Sequence, residues 1–170
     1  MKKLTNEILM MFIMEDIEKL KVAGLYNQRY TPPKANFTNA MTESVRNTCR
    51  KFGIRTEREV KFRFSKQFRE NNNRKCGYVD LIIHNHYDKK IALEIDSTNT
   101  NTISYIKLCE LSADDYDSFW IIWNRNKSGK PFHTSYKNDY TKKNEGLGYT
   151  NKNVRIIRHT FHPTIFKPLT

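Results

Sequence analysis

The sequence predicts an α/β fold in which helices flank a mixed central β-sheet, with the core order αβββαβ. Residues 77–84 and 90–96 are two short stretches whose alternating pattern is typical of the strands of a β-hairpin. Residues 118–124, Ser-Phe-Trp-Ile-Ile-Trp-Asn, form a continuous apolar run of the kind found in a strand covered on both faces. A helical segment lies between the hairpin and this run, and such a crossover helix implies at least one parallel pair of strands.

The length of 170 residues is most simply that of one domain, spanning 1–170. We divide it into an N-terminal helix and loop (1–37), a core (38–124), and a basic loop with a last strand and tail (125–170).

The first predicted element is an amphipathic helix over residues 5–23, ended by Gly24. Its apolar stripe is expected to pack on the core, with a partner subunit as the alternative. A loop through Pro32 and Pro33 follows, because proline does not fit a helix interior. The next helix is predicted over 38–52, ended by Gly53. The stripe of the first helix consists of Leu9, Phe12, Ile13, Ile17 and Leu20.

The remaining elements are three strands, a crossover helix and two further strands. Residues 125–152 show no periodicity and are rich in lysine, which predicts a basic loop that is either functional or solvated. The predicted strands cover 56–64, 78–84, 90–97, 118–124 and 153–159, and the helix covers 102–112.

The predicted hairpin brings acidic side chains together. If the turn covers residues 85–89, the two strands pair symmetrically about Tyr87. Asp80 then lies opposite Glu94, with their Cβ atoms about 5 Å apart. Asp96 is two residues beyond Glu94 and shares its face. Like charges opposed across a ladder destabilise it unless a cation neutralises them, so the pattern predicts a divalent metal site. The other face is expected to be wholly apolar: Val79, Leu81, Ile83, Ile91, Leu93 and Ile95.

The chain is strongly basic. Lys and Arg number 30 against 18 Asp and Glu, giving a net charge of +12. This favours a polyanionic partner, with nucleic acid first and a merely solubilising basic surface as the alternative. Residues 68–75, Phe-Arg-Glu-Asn-Asn-Asn-Arg-Lys, are expected to reach DNA near the acidic face.

The three cysteines, Cys49, Cys76 and Cys109, have neither the number of a paired disulfide framework nor the spacing of a zinc site. A reducing cytoplasmic location is therefore expected. Apolar runs are too short to predict a membrane span, so a membrane is not expected among the partners.

Taken with the order of elements over residues 38–124, Asp80 and the Glu94-Ile95-Asp96 segment resemble the PD-(D/E)XK nuclease superfamily, which has the restriction-endonuclease-like fold. The resemblance makes Asp80 and Glu94 the two motif carboxylates and places Asp96 where the family has lysine. It suggests Glu43 as an extra acid and Lys107 as a relocated lysine, with Lys61 and Lys75 as the other candidates for that lysine. Ordinary helical positions for Glu43 and Lys107 remain the alternatives.

The resemblance implies a metal-dependent DNA endonuclease. Mg²⁺, with Mn²⁺ as a substitute, would be held by Asp80, Glu94 and the carbonyl of Ile95, and water would hydrolyse the phosphodiester bond. The small size resembles the cleavage subunit of a heterodimeric type IIS restriction endonuclease, whose larger partner reads the sequence. A homodimeric restriction enzyme, a Holliday-junction resolvase and a catalytically inactive DNA-binding module are the alternatives.

Overall fold

The computed structural model describes residues 4–20, 33–97, 102–125 and 153–161. In these ranges the helices are α1 (Asn6–Glu18), α2 (Pro33–Lys51), α3 (Lys66–Asn71) and α4 (Thr102–Ala113). The strands are β1 (Arg55–Arg63), β2 (Cys76–His84), β3 (Ile91–Ser97), β4 (Asp117–Arg125) and β5 (Val154–Phe161). None of the described helices has both the length and the apolar character required to cross a bilayer.

The five strands form one mixed sheet in the order β1-β2-β3-β4-β5. The pairs β1/β2 and β2/β3 are antiparallel, whereas β3/β4 and β4/β5 are parallel. Helix α4 is the crossover between β3 and β4. The predicted α/β class and the predicted parallel pair are therefore confirmed.

The hairpin of β2 and β3 has the predicted register. Its ladder pairs Leu81 with Leu93 and Ile83 with Ile91, which centres the pairing on Tyr87. One step further along this register, Asp80 lies opposite Glu94. The alternating apolar residues fix this register. If one strand slipped by one residue along its partner, its core side chains would turn to the other face of the sheet.

Both faces of the sheet are covered. Helices α1 and α2 pack on one face around Leu81, Leu93 and Trp123, and α4 packs on the other around Ile82 and Trp120. Both tryptophans are buried, as expected for core aromatic residues. Leu9, Ile13 and Ile17 of α1 are fully buried in the core beneath α1 and α2, and Leu20 packs against it, as predicted. Phe12 was wrongly placed in this stripe, because its side chain is exposed.

Two predicted helix boundaries were wrong, and one helix was not predicted. Helix α2 begins at Pro33 and not at residue 38, because proline is well suited to the first turn, where its missing N–H has no intrahelical partner. Helix α1 ends at Glu18, and Gly24 lies outside the described residues. Helix α3 was not predicted; Ser65 caps it by accepting a bond from the Phe68 N–H. Residues 126–152 of the basic loop lie outside the described ranges.

Asp16 joins α1 to α2. Its Oδ2 accepts hydrogen bonds from Lys51 Nζ at 2.7 Å and from Thr48 Oγ1 at 2.7 Å. The bond from Lys51, followed by that from Thr48, lowers the pKa of Asp16 from 3.8 to about 2. The ionised carboxylate therefore stabilises the contact between the two helices.

We expect Asp16→Asn to lower the free energy of unfolding by about 1 kcal/mol at neutral pH, a modest value because the Lys51 ammonium is exposed to solvent. Because the folded pKa of Asp16 is depressed, its contribution is present above pH 3.8 and is lost as the pH falls toward 2. Urea unfolding at pH 7 and pH 3 measures this, with Glu18→Gln on the same helix as the control. An equal loss at both pH values would contradict the assignment.

Candidate functional site

Asp80 and Glu94 form reciprocal bonds where the β2/β3 ladder ends. The Asp80 N–H donates to Glu94 Oε1 at 3.2 Å, and the Ile95 N–H donates to Asp80 Oδ2 at 2.8 Å. Each carboxylate thus accepts from the backbone of the opposite strand. These bonds fix two acidic side chains side by side between β2 and β3, as the sequence predicted.

Lys107 reaches this pair from α4. Its Nζ lies 2.6 Å from a Glu94 carboxylate oxygen and donates to the Tyr78 carbonyl at 2.8 Å. The Lys107 side chain is only 12% exposed and that of Glu94 only 2%. Lys107 is therefore not a solvated helical cation, and the structure brings it to the acids as the sequence suggested.

The site groups one buried acid, Glu94, with two partly buried acids, Asp80 and Asp96. Burial, reinforced by the charges of Asp80 and Asp96, raises the pKa of Glu94 from 4.5 to about 8 against the opposing effect of Lys107. Burial also raises the pKa of Asp80, although the Ile95 N–H and Lys107 oppose the increase. One ammonium group therefore does not balance the acids around it, and an additional cation would be favoured there.

Asp96 is held by the neighbouring parallel strand. Its Oδ2 accepts a hydrogen bond from Trp120 Nε1 at 3.0 Å, and Trp120 is fully buried. The charge of Asp96 raises the pKa of both Asp80 and Glu94, so Asp96 belongs to the same electrostatic cluster.

Glu43 has different partners. It lies on α2, where it pairs with Arg46 at 2.8 Å and with Arg58 of β1 at 3.4 Å. Among the described contacts, none joins Glu43 to Asp80 or Glu94. The structure therefore groups Lys107 and Asp96 with Asp80 and Glu94. The role of Glu43 as an extra acid stays a prediction. The role of the Ile95 carbonyl as a metal ligand also stays a prediction.

Glu59 is an acid near the site that the sequence did not reveal. It lies opposite Asp80 in the β1/β2 register, and its charge raises the pKa of Asp80. Its φ of 48° falls in the left-handed region, which is unfavourable for a residue with a Cβ atom. No sequence signal marks this conformation, because glutamate rarely adopts it.

The irregular backbone at Glu59 explains why the predicted face of Val79 was wrong. The cross-strand partners Arg58 and Leu81 point toward α2, whereas Val60 and Val79 point toward α4. The alternation of side chains between the two faces of the sheet therefore shifts by one residue at Glu59 and Asp80. As a result, the Val79 side chain lies among the apolar residues that pack against α4. The prediction had assumed strict alternation along β2.

We expect Glu59→Gly to raise the free energy of unfolding by about 1 kcal/mol, because glycine adopts positive φ without the Cβ clash. The substitution also removes a charge that repels Asp80. Urea unfolding measures the gain, and Glu59→Gln, which removes the charge but keeps the Cβ, separates the two contributions. Equal stabilisation by both variants would show that backbone strain is not the cause.

Among the described residues, no group of three or more His, Cys, Asp or Glu side chains is arranged to hold a metal ion. The candidate metal ligands are two carboxylates and a main-chain carbonyl. Comparison with protein-family models, with curated proteins and with solved structures finds no match. Functional conclusions therefore depend on the geometry of the site itself.

Proposed function

We propose that this protein is a Mg²⁺-dependent DNA endonuclease that hydrolyses phosphodiester bonds and acts as the strand-cleaving subunit of a restriction endonuclease. The observation that carries the proposal is the contact between Lys107 and Glu94, 2.6 Å apart, beside a carboxylate pair held by reciprocal backbone bonds. A largely buried cation that contacts a buried acid, with a second, partly buried acid beside it, is an arrangement found in catalytic centres.

The order and pairing of the elements support a restriction-endonuclease-like core. Helix α2 is followed by β1, β2 and β3 in antiparallel pairs, then by α4 and by β4 parallel to β3. This corresponds to the αβββαβ order of the PD-(D/E)XK superfamily, with α3 as an insertion between β1 and β2.

The donor set suits Mg²⁺, which prefers oxygen ligands and is usually held by one or two carboxylates. Asp80, Glu94 and the Ile95 carbonyl would hold it, and the ion would offset the repulsion from Asp80 and Asp96 that adds to the effect of burial on the pKa of Glu94. When bound, the ion supplies Lewis-acid stabilisation of the phosphate and lowers the pKa of water.

Lys107 would act on the reacting groups directly. A lysine ammonium has three N–H donors, and two of them are directed at Glu94 and the Tyr78 carbonyl. The third is available to orient the attacking water or to donate to a phosphate oxygen as negative charge develops there. Lys107 would thus replace the motif lysine whose position Asp96 occupies.

Asp96 would position its neighbours. Its bond from Trp120 fixes the carboxylate beside Asp80 and Glu94, where its charge keeps both acids attractive to a cation. We place the reaction in the reducing cytoplasm, with DNA as the substrate and a larger sequence-recognising subunit as the partner.

Incubating the purified protein, alone and together with a co-purified larger subunit, with supercoiled plasmid in Mg²⁺ or Mn²⁺ tests the proposal, and EDTA is the control. Nicking that requires the metal and a larger subunit is the expected result. Site-specific double-strand cuts by the protein alone would indicate a homodimeric enzyme, and selective cleavage of four-way junctions would indicate a resolvase. If the protein binds DNA in a salt-sensitive way but does not cleave it with either metal, with or without the larger subunit, the endonuclease proposal is contradicted and a DNA-binding module is favoured.

A further inference from the structure

A basic pocket lies beside the candidate site. Helix α3 and the residues before β2 form an open cavity of about 360 Å³ lined by Lys66, Arg69, Glu70, Asn73 and Lys75. Three of these side chains are cationic and one is acidic. The acid, Glu70, is 3.7 Å from Lys66, and both side chains are well exposed, so this ion pair is weak and leaves the pocket positively charged.

The pocket is anchored to α4, the helix that carries Lys107. Glu110 of α4 accepts hydrogen bonds from the Ser65 N–H at 2.5 Å and from Ser65 Oγ at 2.9 Å, at the start of α3. On its inner side, Phe68 of α3 is buried against Ile106, the residue before Lys107. One helix therefore positions both the pocket and the ammonium of the candidate site.

The spacing between the two features matches a nucleic-acid strand. Lys75 directly precedes β2, and the Tyr78 carbonyl that accepts the Lys107 bond lies three residues further along the chain. At the rise of an extended strand this is about 10 Å. Neighbouring phosphates of one DNA strand are about 7 Å apart, because each step combines a rise of about 3.4 Å with a rotation about the axis, so the separation corresponds to about one to two phosphates.

We propose that this pocket is a backbone-phosphate subsite for the nucleic-acid strand that is cut at Asp80 and Glu94, about one to two phosphates from the reacting one. The inference rests on the proposed function. Lysine, arginine and asparagine side chains are common donors to DNA phosphate oxygens, and the net charge of +12 favours a polyanionic ligand. Arg69 Nε donates to the Phe64 carbonyl at 3.0 Å, which orients its guanidinium at the pocket.

The test compares duplex binding by the wild-type chain and by a Lys66→Gln/Lys75→Gln double variant, using fluorescence anisotropy in Ca²⁺ over a range of salt concentrations. We expect the double variant to bind about tenfold more weakly and its salt slope to fall by about two, one for each lost phosphate contact. A Lys51→Gln/Lys89→Gln double variant, which removes two lysines from other parts of the surface, is the control.

Equal affinity and equal salt slope in the two double variants would overturn the subsite, even if the wild-type protein cleaves DNA. A selective loss in the Lys66/Lys75 variant would support it, even if cleavage is never observed, in which case only the proposed hydrolysis fails. Because both lysines line an open surface pocket, far-UV circular dichroism is expected to show an unchanged fold. Competition with an acidic peptide is a further test. If the peptide displaces the duplex from the pocket as effectively as DNA of equal charge, the proposal is contradicted.

Discussion

The Glu94→Gln variant is expected to lose DNA cleavage by a factor of about 10³ while it retains its fold and its affinity for duplex DNA. The introduced glutamine keeps the size of Glu94 and can still accept the Asp80 N–H bond, but the substitution removes the negative charge next to Lys107. Cleavage of plasmid in Mn²⁺ with the larger subunit present and duplex binding in Ca²⁺ measure the two effects separately.

Glu57→Gln is a matched control on the adjacent strand β1, where Glu57 pairs with Arg55 and lies near His84. This control is expected to cleave DNA at nearly the wild-type rate. Loss of cleavage in both variants, or in neither, would contradict a specific role for Glu94.

The stability of Glu94→Gln is expected to depend on pH in a defined direction. The folded pKa of Glu94 is about 8, above its ordinary value of 4.5. The contribution of Glu94 to stability is therefore largest below pH 4.5 and is lost as the pH rises through 8. The variant lacks this dependence, so its stability relative to the wild type should rise between pH 5 and pH 8. Urea unfolding in EDTA measures the difference, and a constant difference would exclude the raised pKa.

The Lys107→Met variant is expected to lose cleavage by about 10²-fold to 10³-fold, because the cation that contacts Glu94 would be absent from the reacting region. Met keeps much of the buried aliphatic length and removes the ammonium. Single-turnover cleavage in Mn²⁺, with the larger subunit present, measures this loss. Lys89→Met, which removes the exposed partner of Asp115, is the control and should leave the rate nearly unchanged.

Lys107→Met should also lower the free energy of unfolding at pH 8 by about 3 kcal/mol, because it leaves buried carboxylates without their partner. Without Lys107 the pKa values of Asp80 and Glu94 in the folded protein rise further. At pH 5 the two acids can then bind protons and become neutral, so the loss of unfolding free energy should be smaller than at pH 8. A loss that is equal at both pH values would indicate a packing defect and not an electrostatic one.

The register of the hairpin could be predicted from the sequence because Leu81, Ile83, Ile91 and Leu93 alternate with residues of the other face. That alternation also placed Asp80 opposite Glu94. The shift at Glu59 could not be predicted, because it depends on a positive φ that the residue type does not favour.

The contact made by Lys107 could be suggested but not established from the sequence. The rotation of α4 about its axis is set by the burial of Tyr105, Leu108 and Cys109 against the sheet, which is a tertiary effect. Helix α3 was missed because its six residues are too few to give a periodic signal, and Phe68 and the cap at Ser65 hold it in place.

The central claim is that Asp80 and Glu94 together hold a divalent cation beside Lys107. Crystals soaked in Mn²⁺ and measured at the manganese absorption edge test it most directly. The claim predicts an anomalous peak within coordination distance of both carboxylates in the wild-type protein, and no such peak in crystals of Glu94→Gln. Absence of a peak at these acids, at a Mn²⁺ concentration that supports cleavage in solution, would contradict it.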